Sequence, residues 1–371
     1  MDFRLTDDQR MLAETLERFL RDNYPLDKRH AISASDSGYS AEMWARFAEL
    51  GIVGALFGEA VGGFGGTGTD LVVVFQALGR ALVVEPFLPT VLAGSLVAEL
   101  GTGEQRAMLA DVIAGKRLLA LAHAEADSRY DLERVAANAR RDDGGWRISG
   151  AKSVVLGGGG ADTLIVSART GGDVADKDGI SLFLVDPAAA GVAIRAYGTV
   201  DGYRAAEIAF DAARGQPLGS TGAAYPAIEA AHARAIVAVC AECLGAMEAA
   251  RDITVEYMHT RQQFGVAIGK FQALQHRMAD VLIEIEQLRS AVIAAAAQLG
   301  AGRDRREKFV SAAKNLAGRA GRQTAEEAIQ IHGGMGMTWE YPVGHYAKRI
   351  VMIDHLFGDT DHHLERFIGL G

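Results

Sequence analysis

This sequence has little cysteine, no long basic run and no long apolar run. Its two cysteines cannot form a disulfide framework. With 38 Lys+Arg against 47 Asp+Glu, a net charge of −9 and no block of five basic residues, it lacks the electrostatic footprint of a nucleic-acid-binding protein. No stretch approaches the roughly 18 consecutive apolar residues of a membrane-spanning helix, so we expect no membrane insertion.

The N-terminal segment, residues 1–8, also lacks the basic-then-apolar order of a signal peptide. Together with the scarce cysteines, this predicts a reducing cytoplasm. What the chain does have is 49% hydrophobic and 23% charged residues, enough to form a sizeable core and too apolar for a disordered protein. A length of 371 residues predicts two or three domains.

Helical signals fill the first part of the chain. Thr6 and Gln9 form a capping-box pattern ahead of apolar residues at helical spacing, and residues 43–50 and 71–82 are also helical in pattern. Between them, Gly62–Gly66 predicts an irregular loop and not a phosphate cradle, because no strand precedes it and no GK[ST] follows. We predict an N-terminal helical domain over residues 1–119.

From about residue 120 the pattern changes to short alternating or β-branched segments between glycine-rich turns. These segments cover residues 134–139, 146–149, 164–168 and 180–186. They predict a small central β domain over residues 120–218.

Long helical patterns return after about residue 225. Apolar residues recur at steps of three and four in one run through Ile236 and Tyr257, in a second through Phe271 and Val292, and in a third ending at Ile331. They predict a C-terminal helical bundle over residues 219–371, and the fold class is therefore α+β.

Two groups of residues resemble metal sites by composition. Cys240 and Cys243 have CxxC spacing, but both lie on an apolar helical stripe and no second ligand pair accompanies them, so we expect core packing. In a C-terminal cluster, Asp359 and His363 are spaced i,i+4 and could supply two ligands to a metal ion. A charged surface helix explains the composition of the cluster equally well, so we expect no metal site. The cluster comprises Asp354, His355, Asp359, Asp361, His362 and His363.

Stronger signals lie where two of the long helices end. Each alone is typical of an ordinary helix terminus, with a cation near the C-terminal dipole and a glycine cap. Together they offer a guanidinium for a pyrophosphate, amides for ribose or adenine edges, and a glycine pair that lets a diphosphate approach the main chain. The candidate cofactor-binding residues are Arg261, Gln263, Phe264, Phe271, Gln272, Gln330, Gly333 and Gly334.

These segments carry a family resemblance. Residues 257–272, read with Ala279-Asp280, resemble the signature of the acyl-CoA dehydrogenase flavoprotein family, and residues 330–336 with Glu340 resemble its second signature. The resemblance covers the whole chain and implies FAD as cofactor, two helical domains around a β-barrel domain, a C-terminal four-helix bundle and tetramers built from dimers.

The resemblance also implies a reaction. In the family, a carboxylate base removes the α-proton of an acyl-CoA thioester while the β-hydride passes to flavin N5, which gives the 2,3-enoyl-CoA. An electron-transfer protein then accepts the electrons. This chemistry requires a base of suitable pKa in a dry site, donors that polarise the thioester oxygen, and a positioned flavin.

The sequence departs from the family at the catalytic base. The family glutamate usually lies in a Glu-Gly-Thr segment, where this chain has Phe357-Gly358-Asp359-Thr360, so Gly358 takes its place. Some members place the base on the first long C-terminal helix, at a position that is Ala235 here. Neither residue can act as a base, and Asp359 stays as a weak candidate.

The flavin-ring segments differ as well. Where the family has Thr-Glu-Pro and Lys-x-Trp-Ile-Thr around the isoalloxazine ring, this chain has Ala124-Glu125-Ala126 and residues 152–156, Lys-Ser-Val-Val-Leu. Ala124, Val154 and Leu156 have no side-chain donor, and Tyr130 stands where a small serine usually meets the CoA arm.

The pattern of losses predicts a division of labour. In the family each FAD is shared between subunits, and this chain keeps the segments for the adenosine-diphosphate half while lacking those for the ring. It most resembles the small subunit of pimeloyl-CoA dehydrogenase and related heteromeric enzymes for dicarboxylic or steroid acyl-CoA esters, particularly over residues 167–170 and 357–364. Two alternatives stay open: a self-sufficient homomeric dehydrogenase with Asp359 as base, and a non-enzymatic acyl-CoA or flavin-binding homologue.

Overall fold

The computed structural model describes residues 4–371, so residues 1–3 of the N-terminal segment discussed above lie outside the described residues. The predicted capping box is present, since the Thr6 hydroxyl accepts from Gln9 N–H and the Gln9 side chain accepts from Thr6 N–H. The helices before the β domain are α1 (Asp7–Asn23), α2 (Leu26–Ala34), α3 (Ala41–Glu49), α4 (Gly68–Ala81), α5 (Phe87–Leu100) and α6 (Gly103–Ile113).

The central strands close into a barrel, as predicted. The strand order β1-β4-β2-β3-β7-β5 is completed by pairing of β5 with β4, while β6 adds to β7. The barrel core is apolar, with Ile148, Leu164 and Phe183 fully buried. The strands are β1 (Leu119–Ala122), β2 (Asn138–Asp142), β3 (Gly145–Leu156), β4 (Thr163–Arg169), β5 (Ile180–Val185), β6 (Val192–Gly198) and β7 (Arg204–Leu218).

The predicted long helices form the C-terminal bundle, in which α9 packs on α8, α10 and α11. A buried ion pair joins α7 to α10. Nε and Nη2 of Arg349 donate to the two carboxylate oxygens of Glu242 at 2.6 and 2.7 Å. The elements are α7 (Tyr225–Thr260), the hairpin β8 (Gln262–Gln263) and β9 (Val266–Ala267), α8 (Gln272–Ala297), α9 (Arg303–His332), α10 (Val343–His355) and α11 (Thr360–Gly369).

Helix α7 is long and apolar enough to cross a membrane by length and composition, the one such helix found in residues 4–371. However, 89% of its most apolar window is buried inside the protein. That burial is typical of a core helix.

By contacts, the chain divides into two compact units. One contains residues up to 30, 68–83 and 236–371, and the other contains 31–67 and 84–235. The domain boundaries at residues 119 and 218 stay a prediction.

Candidate active site

The segment after α7 presents an aromatic side chain to solvent. Strands β8 and β9 pair as a hairpin, and its two turn residues, Phe264 and Gly265, adopt positive φ values of 51° and 80°. Arg261 anchors the hairpin, since its carbonyl accepts from Ile268 N–H at 2.9 Å. The Phe264 side chain is 93% exposed. The turn therefore holds a phenyl ring away from the surface of its own subunit.

Ring stacking brings the ends of α7 and α9 together. The ring of Tyr257 stacks on His332 with centroids 4.4 Å apart, and Tyr341 packs on the same imidazole at 5.0 Å. The imidazole Nδ1 donates to Ala328 O at 2.7 Å, and burial lowers the pKa of His332. This pair places the two family signatures on one surface, which we call the helix-end surface and define by the eight candidate cofactor-binding residues.

The helix-end surface has the donors that a diphosphate and an adenosine need. Arg261, Gln263, Gln272 and Gln330 are exposed, and within residues 4–371 their side chains make no hydrogen bond or ion pair. Phe271 precedes α8 and packs edge-on against Phe264, with centroids 6.3 Å apart.

The glycine pair at the end of α9 leaves its backbone open. A Cβ at Gly333 or Gly334 would meet no atom within 4 Å, and Gly333 has φ +59°. Because a guanidinium, amides and an open glycine backbone match a pyrophosphate and its nucleoside, these residues fit the adenosine-diphosphate half of FAD. The individual contacts of the eight residues stay a prediction.

A second surface lies on the β domain, where the family places the flavin ring. We call it the strand surface and define it by Ala124, Ala126, Ser153, Val154 and Leu156. Ala124 and Ala126 are exposed, and Val154 is 51% exposed with φ +52°. Ser153 has the only side-chain donor of the five. This donor set does not fit the ring half of FAD.

A buried network holds the strand surface from beneath. The Lys152 ammonium donates to Glu125 Oε1 at 2.7 Å, to Ser167 Oγ at 2.9 Å and to His123 O at 3.0 Å. The Glu125 carboxylate also accepts the backbone N–H groups of residues 136 and 137. Burial lowers the pKa of Lys152 to about 8. These hydrogen bonds tie Lys152, next to the strand surface, to Glu125 and to β4.

The position where the family resemblance places the catalytic base is too tight for a side chain unless its neighbours move. Gly358 is buried with φ +110°, and a Cβ there would lie 2.5 Å from His362 Cδ2 and 2.7 Å from His363 Nε2. His363 is itself fixed, because its Nε2 donates to Phe357 O at 3.0 Å. The buried ammonium of Lys314 donates to the carbonyl of Gly358 and locks the segment further.

The other two candidate positions differ in what they offer. Ala235 is fully buried within α7, and its neighbour Arg234 donates to the carbonyl of Gly66 at 3.1 Å. Asp359 has a carboxylate, but it is the N-cap of α11 and its Oδ1 accepts from His362 N–H at 2.9 Å. This hydrogen bond holds the carboxylate at the helix N-terminus.

Both cysteines lie in the core, as predicted. Cys240 and Cys243 are fully buried, and burial raises the pKa of both thiols, that of Cys240 to about 12. Cys243 Sγ packs 3.8 Å from Met247 Sδ. Among residues 4–371, no three His, Cys, Asp or Glu side chains are grouped to hold a metal ion.

The sequence patterns assigned no role in the site to the side chains of His332, Tyr257 or Glu207. A signal for the stacked pair exists, because Tyr257 and His332 lie in the last turns of α7 and α9, next to the two motifs. Nothing in the local sequence marks Glu207, whose neighbours come from other strands.

Comparison with known proteins agrees with this geometry. Three family descriptions match consecutive parts of the chain: acyl-CoA dehydrogenase N-terminal domain over residues 6–116, middle domain over 120–213 and C-terminal domain over 219–367. The acyl-CoA dehydrogenase IpdE2 of Mycobacterium tuberculosis is 31% identical, with 92% of this chain and 91% of that protein covered.

Two solved structures are similar over nearly their whole length. The Tcur3481-Tcur3483 steroid ACAD is 32% identical with a TM-score of 0.88, covering 98% of this chain and 97% of that chain. The ChsE4-ChsE5 complex from Mycobacterium tuberculosis is 26% identical with a TM-score of 0.89, covering 100% of this chain and 98% of that chain. The chain therefore belongs to the acyl-CoA dehydrogenase family of FAD-dependent oxidoreductases that act on CH–CH groups.

Proposed function

We propose that this chain is the small subunit of a heteromeric acyl-CoA dehydrogenase. It completes the FAD site of a larger homologous subunit and has no catalytic base of its own. The likeness to a steroid ACAD and to the ChsE4-ChsE5 complex supports a heteromer that acts on steroid acyl-CoA esters. Dicarboxylic acyl-CoA esters are the second substrate class of the proposal. A cytoplasmic location and an electron-transfer protein as acceptor are part of the proposal.

The geometry at Gly358 carries this proposal. A base needs a carboxylate within hydrogen-bond reach of the proton it removes. The family position has a backbone φ of +110° and no room for a Cβ, and the next carboxylate, Asp359, is committed to capping α11. The chain thus supports a partner's chemistry better than its own.

The helix-end surface gives this chain its role in the complex. FAD, when bound, supplies the hydride acceptor. Arg261 would hold the pyrophosphate by charge-assisted hydrogen bonds, and Gln263, Gln272 and Gln330 would meet the ribose and adenine. Gly333 and Gly334 let the diphosphate approach the backbone, and Phe264 excludes water from the shared site.

The CoA region of the β domain supports the same division. Tyr130 is half-buried in the turn that follows Ala124–Ala126. Its ring is much larger than the serine that the family resemblance places there, so it narrows the path of a CoA arm in this subunit. The acyl-CoA would therefore bind in the partner's site.

Purification of the chain alone and together with a longer homologue tests the proposal. The partner should carry the Glu-Gly-Thr and Trp-Ile-Thr segments. We expect substoichiometric FAD and no turnover for the chain alone, and FAD retention with turnover for the complex, measured by flavin absorbance, native mass and reduction of an artificial acceptor. One tightly held FAD per chain in an active homotetramer would refute the proposal and favour the homomeric alternative. No activity with any such partner would favour the binding homologue.

A further inference from the structure

Strand β3 contains a bulge at the strand surface. Lys152 pairs with Ile208 and Val155 with Ala206, so Ser153 and Val154 together stand opposite the single residue Glu207 of β7. A bulge of this kind removes a backbone N–H from the strand ladder. The N–H of Val154 therefore needs a partner from outside the ladder.

Glu207 supplies that partner. Its Oε1 accepts from Val154 N–H at 3.3 Å and from the Tyr197 hydroxyl at 3.0 Å. Arg195 of β6 pairs with Glu207 in register. Burial opposes ionisation of the carboxyl, but these hydrogen bonds and Arg195 outweigh it and lower the pKa of Glu207. Glu207 is thus an ionised carboxylate at neutral pH, with the Arg195 cation on the neighbouring strand.

The contacts of Glu207 have a direct meaning for a ring placed on this surface. An isoalloxazine has two carbonyl oxygens and unprotonated ring nitrogens that accept hydrogen bonds, and these acceptors need N–H or O–H donors when water is excluded. The surface offers the Val154 N–H and the Ser153 hydroxyl, and Glu207 engages the Val154 N–H. A fixed carboxylate beside the electron-rich edge also disfavours ring binding by charge.

We propose that Glu207 takes the Val154 hydrogen bond that a flavin ring would need on the strand surface and so excludes the ring from this subunit. This inference rests on the proposed small-subunit function and gives a residue-level cause for the absent ring site. Glu207 would therefore determine which ligand binds to the strand surface, and it takes no part in the reaction itself.

Riboflavin tests the inference because it has the ring without the adenosine diphosphate, and so reports the strand surface alone. Fluorescence titration of the full chain would compare wild type with Glu207→Ala, which frees the Val154 N–H, and Glu207→Gln, which removes only the charge. Asp211→Asn is the matched control, since it removes one exposed charge from the same strand. We expect about tenfold tighter riboflavin binding for Glu207→Ala, a smaller gain for Glu207→Gln and no change for Asp211→Asn.

The outcomes distinguish the role of Glu207 from the small-subunit function. If neither Glu207 variant, shown to be folded by circular dichroism, binds riboflavin more tightly than wild type, the inference about Glu207 is wrong while the small-subunit function stands. If wild type alone already binds riboflavin and retains one FAD per chain, both are wrong. An equal gain in Asp211→Asn would also overturn the inference, because net charge and not Glu207 would then control binding.

Discussion

Replacing Gly358 with alanine should destabilise the chain strongly. A side chain at φ +110° costs about 1–3 kcal/mol in backbone strain. The new Cβ would also overlap His362 and His363 at 2.5–2.7 Å, and overpacking of this kind costs about 1–3 kcal/mol. Since Lys314 and His363 hold the segment by its carbonyls, little relaxation is available. We expect a loss of roughly 2–6 kcal/mol in the free energy of unfolding.

Urea unfolding followed by far-ultraviolet circular dichroism measures this loss. Gly369→Ala is the control, because Gly369 lies in α11 with no atom within 4 Å of a Cβ. It should change stability by at most about 1 kcal/mol, in the stabilising direction, through helix propensity. If Gly358→Ala unfolds at the same urea concentration as the control, the segment can relax and a glutamate could be accommodated. In that case the fold would not exclude a side chain at position 358.

Three further predictions follow from the site. Arg261→Ala should weaken FAD retention in the complex about ten- to a hundredfold, since a charge-assisted contact is worth roughly 1.5–3 kcal/mol; equal loss in Lys270→Ala would contradict this. Asp359→Asn keeps the helix cap, so turnover of the complex, compared at equal flavin content, should stay nearly unchanged. If Asp359 were the catalytic base, turnover would fall by about 10²–10⁴-fold. Burial lowers the pKa of Lys152 from 10.5 to about 8. Between these pH values the unfolded chain binds more protons than the folded chain, so the free energy of unfolding should increase as the pH rises from about 8 to 10.5. Lys152→Met should remove this increase when unfolding is measured as a function of pH.

Sequence patterns predicted the helices well because their apolar spacing and caps are local. The capping box at Thr6 and the stripes of the long helices recur in the structure. Strand β7 was missed because alanines make up a third of it, and alanine has low β propensity. Pairing with β3, β5 and β6 makes it a strand nonetheless. Tertiary contacts, which a local pattern does not contain, determine this element.

The candidate site divides in the same way. The residues of the helix-end surface lie in short linear motifs, so their positions could be predicted. The sequence also showed that Gly358 replaces a glutamate. It could not show the left-handed backbone or the two histidines against it, because these depend on how α11 packs. For the same reason the bond between Glu207 and Val154 required the register of β3 and β7.

The outward phenyl ring of Phe264 has a consequence for the protein in the cell. A 93% exposed aromatic side chain at positive φ gains little from the fold of its own chain, where Phe271 packs edge-on against it. Chaperones and proteases continuously act on unfolded chains, and uncovered apolar patches promote aggregation. Under the proposed function, chain made in excess of its partner has no cover for this ring. The supply of the partner would then limit how much of this subunit persists.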